Sequence, residues 1–267
     1  MIKENKKKIA GKKKLMVLIV SYNAEQTITK LLHRIPEEVW DKAEEIVVAD
    51  DASRDRTAEM AKDYKKLYNR INLTIIKHEK NKGYGGNQKW GYNYGIKKGY
   101  DIAVMVHGDA QYPPEKIIEL IKPIEEGKAD FMFGSRMSGD PLGGRMPLYK
   151  FFGNIFLTTV ENFVLGTDLT EFHSGFRAYS LKALEDIPLD LDSDGFHFDS
   201  EIIIQLVIAK KKIGEITIPT FYGDEKCNVK VINYGINILK ELCRYLMSKW
   251  NLKQYPKYDL KNFKVKS

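Results

Sequence analysis

The sequence predicts an α/β protein built on a mostly parallel sheet with helices on both faces. Three observations carry that expectation. Apolar runs of strand length alternate with amphipathic helical stretches as far as Phe133. The runs are rich in Val and Ile and apolar at nearly every position, which is the texture of strands covered on both sides. Each of the first four runs ends in a polar cluster, and open sheets of this kind bind ligands at the carboxyl ends of their strands.

The elements follow in order. Leu15 to Val20 reads as the first strand, with a helix over Glu25 to Ile35. Glu45 to Ala49 is the second, and the helix from Asp55 to Tyr68 behind it has Ser53 or one of Asp50 and Asp51 available as a cap. Ile71 to Lys77 precedes a helix over Gly86 to Lys98. Ile102 to Val106 is the central strand, and Pro113-Pro114 opens a helix to Glu125, since proline suits the first helical position. Phe131 to Phe133 and Ile213 to Ile218 complete the strands. Past residue 140 the texture changes. Gly139 to Gly144 is a glycine-rich loop, and Pro147 to Leu165 is an aromatic and aliphatic helix whose apolar face is wide for a surface helix. Packing of that face on the body is preferred over burial in a membrane interface. Val231 to Trp250 is a second amphipathic helix. The expected organisation is a basic tail over residues 1–14, one α/β domain over 15–228, and an amphipathic helix with a basic tail over 229–267.

At 267 residues and 43% hydrophobic, the chain can bury a substantial core. Cys227 and Cys243 lack metal-type spacing and support neither a disulfide framework nor a zinc site, which fits a reducing cytosol. No apolar stretch reaches the ~18 residues of a membrane span, so a soluble or peripheral protein is expected. The net charge of +7 is unevenly spread. Residues 1–14 and 249–267 together carry +11, leaving −4 on the body between them. Cationic ends on a mildly acidic body point to tethers on an anionic phospholipid surface and away from a nucleic-acid groove.

Asp109 stands at the carboxyl end of the central strand, flanked by His107 and Gln111. If extended geometry continues, residues two apart face one way, and three donors converge on one divalent cation. The alternative is an Asp109 that merely caps the following helix. Gly108 leaves room for a ligand to approach. Asp50 and Asp51 need a hydrogen-bonding partner, met by a nucleobase edge, a ribose or the start of the next helix. Asn81 to Gly86 lacks both the phosphate-loop and the dinucleotide spacings; its glycines permit a tight turn that brings Lys82 near the ligand. Four clusters on one rim define one cleft.

Taken together, Ser21-Tyr-Asn-Ala-Glu25, Val47 to Thr57, Asn81 to Gly86, Gly108 to Pro114, Gly134-Ser-Arg136 and Ser174-Gly-Phe-Arg177 stand in an order that resembles family 2 glycosyltransferases. The chain is similar to the dolichyl-phosphate mannose or glucose synthase branch. The resemblance implies a GT-A-like fold and an inverting, metal-dependent transfer of sugar from a UDP- or GDP-linked donor to a polyprenyl phosphate, at the cytoplasmic membrane face. It places Tyr22, Glu25, Asp50 and Asp51 against the nucleotide. It makes Asp109 and Gln111 ligands of a cation that bridges the diphosphate, with His107 where the family has a carboxylate. An imidazole there favours Mn²⁺ over Mg²⁺, or else His107 supports Asp109 from behind.

A phosphate acceptor with a second pKa near ~6 is already ionised at neutral pH and calls for cations. Arg136, Arg145, Lys150, Arg177 and Lys226 are the candidates. The resemblance gives this part to Arg136 and to a basic residue in the loop after it, either Arg145 or Lys150. Arg177 alternatively pairs with Asp168 or Glu171. Asp199 and Glu201 suit the first turn of a helix, and they are the bases to test if the acceptor is instead a saccharide or protein hydroxyl. A non-catalytic nucleotide-binding or membrane-surface module is the alternative of another class.

Overall fold

The computed structural model describes residues 12–220 and 231–263. Seven strands form one sheet: β1 (Leu15–Ser21), β2 (Ala43–Asp50), β3 (Leu73–Lys77), β4 (Ile102–His107), β5 (Phe131–Ser135), β6 (Arg177–Ser180) and β7 (Ile213–Thr217). Their spatial order is β3-β2-β1-β4-β6-β5-β7. All pairings are parallel except those of β6, which runs antiparallel to both β4 and β5. The helices are α1 (Ile28–Arg34), α2 (Glu37–Lys42), α3 (Thr57–Leu67), α4 (Tyr84–Lys98), α5 (Ile117–Glu125), α6 (Leu148–Leu165), α7 (Leu181–Glu185), α8 (Phe198–Ile208) and α9 (Val231–Lys249).

Alternation along the strands divides the core in two. Leu15, Val17 and Ile19 pack with Ile46, Val48, Val104 and Val106 against α1, α3 and α5. Met16, Leu18 and Val20 join Val47, Ala49, Ala103 and Met105 on the other face, against α8 and α9. Helix α8 is buried over most of its surface, as expected of a helix that is apolar nearly all round. Ile238, Leu242, Tyr245, Tyr258 and Phe263 share the second core, so the described part of the C-terminal segment is packed into the same body.

Strand β6 departs from the sequence expectation, because Arg-Ala-Tyr-Ser carries no apolar run. It pairs on both sides, with Met105 opposite Arg177 and Phe133 opposite the same residue. Helix α6 departs further. Its inward stripe is Asn154, Thr158, Glu161 and Leu165, while Phe152 is 63% exposed, Phe156 59% and Phe163 89%. The aromatic face does not pack on the body, because the polar side chains of the opposite face reach inward to partners there. Among the described residues no helix is long and apolar enough to cross a membrane.

Candidate active site

The carboxyl ends of β1, β2, β4 and β5 share one rim. Because β6 is reversed, its amino end brings Ser174, Gly175 and Phe176 to the same place. At β1, the Tyr22 ring is exposed on the rim. Its loop is laced to the loop after β2: Asn23 N donates to Ser53 Oγ (2.8 Å), Glu25 N to Asp55 Oδ2 (3.1 Å), and Arg56 N to Glu25 Oε2 (3.0 Å). Asn23 and Ala52 adopt left-handed backbone conformations that make these turns tight.

The two adjacent carboxylates divide their work. Asp50 is fully buried, and its Oδ1 accepts from the backbone and hydroxyl of Ser53, while Lys77 Nζ stands 4.0 Å from Oδ2. Asp51 Oδ1 accepts from Lys82 N at 2.7 Å, and Asn81 Nδ2 donates to the Asp51 carbonyl at 2.9 Å. Burial raises the Asp51 pKa above the ordinary carboxylate value, against the pull of the Lys82 amide. Lys82 itself is exposed. A cavity of about 610 Å³ lies beside this loop, lined by residues 77–82 and Trp90.

At β4 the chain turns. Ala110 has φ +61°, so extended geometry stops and strand alternation does not align His107, Asp109 and Gln111. The turn brings the first two together instead. Asp109 Oδ1 accepts from Gln111 N (3.0 Å), and Oδ2 lies 3.9 Å from His107 Nδ1. Gly108 serves close packing and leaves no space for a ligand, since a Cβ there would sit 2.3 Å from Ser21 Oγ. His107 is enclosed by Tyr84 and Tyr112, both edge-on, and by Gly175, where a Cβ would fall 2.4 Å from the ring. That burial lowers the His107 pKa despite the attraction of Asp109 and Asp199, which favours the neutral imidazole that a metal ligand requires. Ligand distances of ~2.0–2.6 Å let one divalent cation span two donors separated by up to roughly 5 Å, so Asp109 and His107 fit such an ion.

Among the described residues one other cluster, His197, Glu201 and Glu241, has metal-like proximity. Lys257 already supplies a cation there, paired with Glu201 and 2.7 Å from Glu241 Oε2. Burial works against its charge, but the two carboxylates outweigh it and hold the lysine pKa above its usual value.

Arg136, at the end of β5, is gripped by the fully buried Glu171, which takes the Arg136 backbone N at 2.7 Å and Nε at 2.9 Å. Burial opposes the Glu171 charge, yet Arg136 prevails and holds that carboxyl below the ordinary range. Asn154 and Thr158 of α6 extend the chain of bonds from Glu171 at 3.0 and 3.1 Å.

Arg177 does not reach the cleft: it is 1% exposed and donates to the carbonyls of Ser174 (2.7 Å), Asp199 (2.9 Å) and Phe172 (2.8 Å). It therefore knits β6 to α8, with Asp199 as its charge partner at 3.6 Å in place of Asp168 or Glu171. Asp199 and Glu201 are buried and engaged, the first by Tyr84 and Gln88, the second by Ser193 N and Lys257. Arg145 is exposed and Lys150 half-buried at the start of α6. Lys226 and Cys227 lie outside the described residues, as do residues 1–11 of the basic tail.

Sequence reasoning assigned no role to Tyr84, Tyr112 or Gly175, and it offered Glu171 only as an alternative partner of Arg177, whereas the carboxylate is bonded to Arg136. Tyr84 and Gly175 sat inside quoted motifs, where an aromatic between glycines and a glycine before a buried arginine were the available signals. Tyr112 stood in the Gly108 to Pro114 motif, and its hydroxyl accepts from Gly175 N at 2.8 Å.

The open, mostly parallel sheet with polar loops gathered at the carboxyl ends of its central strands has a GT-A-like fold. The profile described as Glycosyl transferase family 2 matches residues 16–188, and the chain belongs to that family and is a glycosyltransferase. It is 31% identical over 222 residues to a UDP-N-acetylglucosamine–dolichyl-phosphate N-acetylglucosaminyltransferase of Methanococcus voltae, covering 79% of this chain and 87% of that protein. An undecaprenyl-phosphate mannosyltransferase of Micrococcus luteus is 26% identical over 213 residues, covering 77% and 82%. Among solved structures, the glucosyl-3-phosphoglycerate synthase of Mycobacterium tuberculosis in complex with Mn²⁺, UDP-glucose and phosphoglyceric acid superposes with a TM-score of 0.65 at 17% identity, covering 91% and 81%. That likeness is one of fold.

Proposed function

We propose that this protein transfers a sugar from a UDP- or GDP-linked donor to a polyprenyl phosphate, with inversion and with a divalent cation, at the cytoplasmic membrane surface. Both quoted relatives carry a polyprenyl-type phosphate acceptor in their names. The observation that carries the acceptor class is the state of Asp199 and Glu201. The two carboxylates expected to serve a hydroxyl acceptor as base are buried and bonded inside the protein. A phosphate monoester needs no base, because its oxygen is already a nucleophile at neutral pH.

The nucleotide is held by the Tyr22 ring, Glu25, Asp51 and Lys82, while Asp50, fully buried and bonded to Ser53, braces the loop behind them. Asp109 and His107 would hold the cation, Mn²⁺ or Mg²⁺, with Gln111 as a third candidate donor, and the cation would neutralise the diphosphate leaving group. Arg136, whose guanidinium Glu171 keeps in one orientation, grips the acceptor phosphate together with Arg145 or Lys150; Lys226, outside the described residues, is a further candidate. An acceptor oxygen forms a bond to the anomeric carbon while the carbon–oxygen bond to the diphosphate breaks on the opposite face, and the nucleoside diphosphate departs. The exposed aromatic face of α6 begins directly after the loop that carries Arg145. It rests in the lipid interface, so that a lipid-linked phosphate reaches the rim from the membrane.

The test is a screen of UDP- and GDP-sugars against a short-chain polyprenyl phosphate, with Mn²⁺ and Mg²⁺ varied. The expected product is a lipid-linked sugar phosphate formed only with metal. Asp109→Asn is expected to lower turnover more than ~100-fold at an unchanged melting temperature, since even supporting residues of metal sites are worth 10–100-fold. Transfer to a soluble glycan but never to a lipid phosphate removes the acceptor assignment, and metal-independent transfer removes the cation.

A further inference from the structure

We infer that Tyr84 and Asp199 lock His107 in its Nε2–H tautomer, so that Nδ1 is the atom the imidazole presents to the cation beside Asp109. The inference rests on the cation site proposed above and assigns two positioning residues to it.

The Tyr84 hydroxyl stands 2.8 Å from Asp199 Oδ2 and 3.0 Å from His107 Nε2. A phenol has one proton, and a carboxylate only accepts. The Tyr84 proton therefore goes to Asp199, and what remains for His107 is an oxygen lone pair, to which Nε2 must donate. The opposite arrangement, with Tyr84 donating to Nε2, sets two lone-pair oxygens against each other at 2.8 Å in a site where Asp199 is 5% exposed.

The rest of the network holds Asp199 in place. Gln88 Nε2 donates to its other oxygen at 3.3 Å, and Tyr92 fixes that amide by donating to Gln88 Oε1 at 2.9 Å. Arg177 donates to the Asp199 carbonyl at 2.9 Å and lies 3.6 Å from the carboxylate. The imidazole ring is equally confined, with Gly175 against its Cε1–Nε2 edge and Tyr112 edge-on at 5.1 Å. A ring flip would carry Nε2 away from Tyr84 and break its bond.

With Nε2 committed inward, Nδ1 keeps its lone pair and lies 3.9 Å from Asp109 Oδ2 on the rim. One imidazole nitrogen bonded to a fixed acceptor and the other left open is how proteins orient histidine ligands. Tyr84 opens α4 and Asp199 lies in the first turn of α8, so two helices on one face of the sheet set the chemistry of a residue at the end of β4.

Three measurements test this. In metal-free protein, long-range ¹H–¹⁵N correlation of the histidine rings, with the signal assigned by its loss in His107→Gln, is expected to report the Nε2–H form; Tyr84→Phe is expected to shift the population toward Nδ1–H. With Mn²⁺ and UDP bound, pulsed electron paramagnetic resonance is expected to show a directly ligated imidazole nitrogen, absent in His107→Gln. Mn²⁺ affinity is expected to fall about tenfold or more in Tyr84→Phe. An Nδ1–H ring in the wild type overturns the inference. Mn²⁺ held without nitrogen coupling, yet lost in Asp109→Asn, removes the role of His107 and leaves the cation site standing. Failure to bind Mn²⁺ in the presence of UDP removes the cation site and this inference together.

Discussion

At the scale of single residues, the site is built from charges that are paired before any substrate arrives. Arg136 and Glu171 illustrate it: the arginine side chain is 15% exposed and the glutamate 0%. Removing one partner of such a pair strands a buried charge, which costs about 3–5 kcal/mol. Arg136→Ala is therefore expected to lower the unfolding free energy by that amount in urea, beyond any effect on turnover. A loss under about 1 kcal/mol would show that Glu171 finds compensation elsewhere. The motif Gly134-Ser-Arg136 was legible in the sequence, but its partner was not. Glu171 lies 35 positions away, and nothing local distinguishes it from any other loop acid.

At the scale of elements, α6 is the informative case. Its composition was legible as an aromatic helix, but the side it turns inward was not. Asn154 reaches the buried Glu171 and Thr158 bonds Asn154, so the polar stripe faces the body beside Leu157, Val160, Val164 and Leu165, and the helix shows Phe152, Phe156 and Phe163 to solvent. Burying such a side chain in an apolar phase is worth ~1.5–3 kcal/mol. Phe152→Ser with Phe156→Ser is expected to weaken binding to phosphatidylglycerol vesicles by about tenfold or more, with the melting temperature nearly unchanged because both rings are mostly exposed. Unaltered vesicle binding would take α6 out of the membrane contact. Strand β6 teaches the same lesson in reverse. A four-residue strand beginning with arginine has no pattern of its own, and it forms because β4 and β5 leave a gap that it fills on both edges.

At the scale of the whole molecule, the C-terminal segment closes over α8 through a buried charge network. Lys257 is 12% exposed and joins Glu201 to Glu241, so this member of the basic end is spent inside the fold and contributes nothing to a surface tether. Asp192 sits in the same region with Oδ1 bonded to Gln205 Nε2 at 2.8 Å and Oδ2 buried without a partner. Burial, reinforced by Glu201, holds its pKa well above the ordinary carboxylate value, against Lys257 and Lys89. The folded state thus binds a proton that the unfolded chain releases near ~3.9. Stability from this group is fully present below that value and is lost as pH rises through the raised folded pKa. Asp192→Asn keeps the shape without the charge, so its stability relative to wild type is expected to grow between pH 4 and pH 8 in chemical denaturation. A pH-independent difference would mean that Asp192 is ionised throughout.

The sequence by itself determined the alternating α/β order, the rim where the polar clusters gather and the glycosyltransferase class. These rest on local periodicity and on motifs whose residues stand close in the chain. Tertiary structure alone decided which charges are spent internally, which face of α6 is presented to solvent, and how His107 is oriented. Those outcomes depend on contacts between β4, α4 and α8, and between β5, α6 and the Glu171 loop, and a one-dimensional pattern records what a residue is but not which distant partner claims its hydrogen bonds.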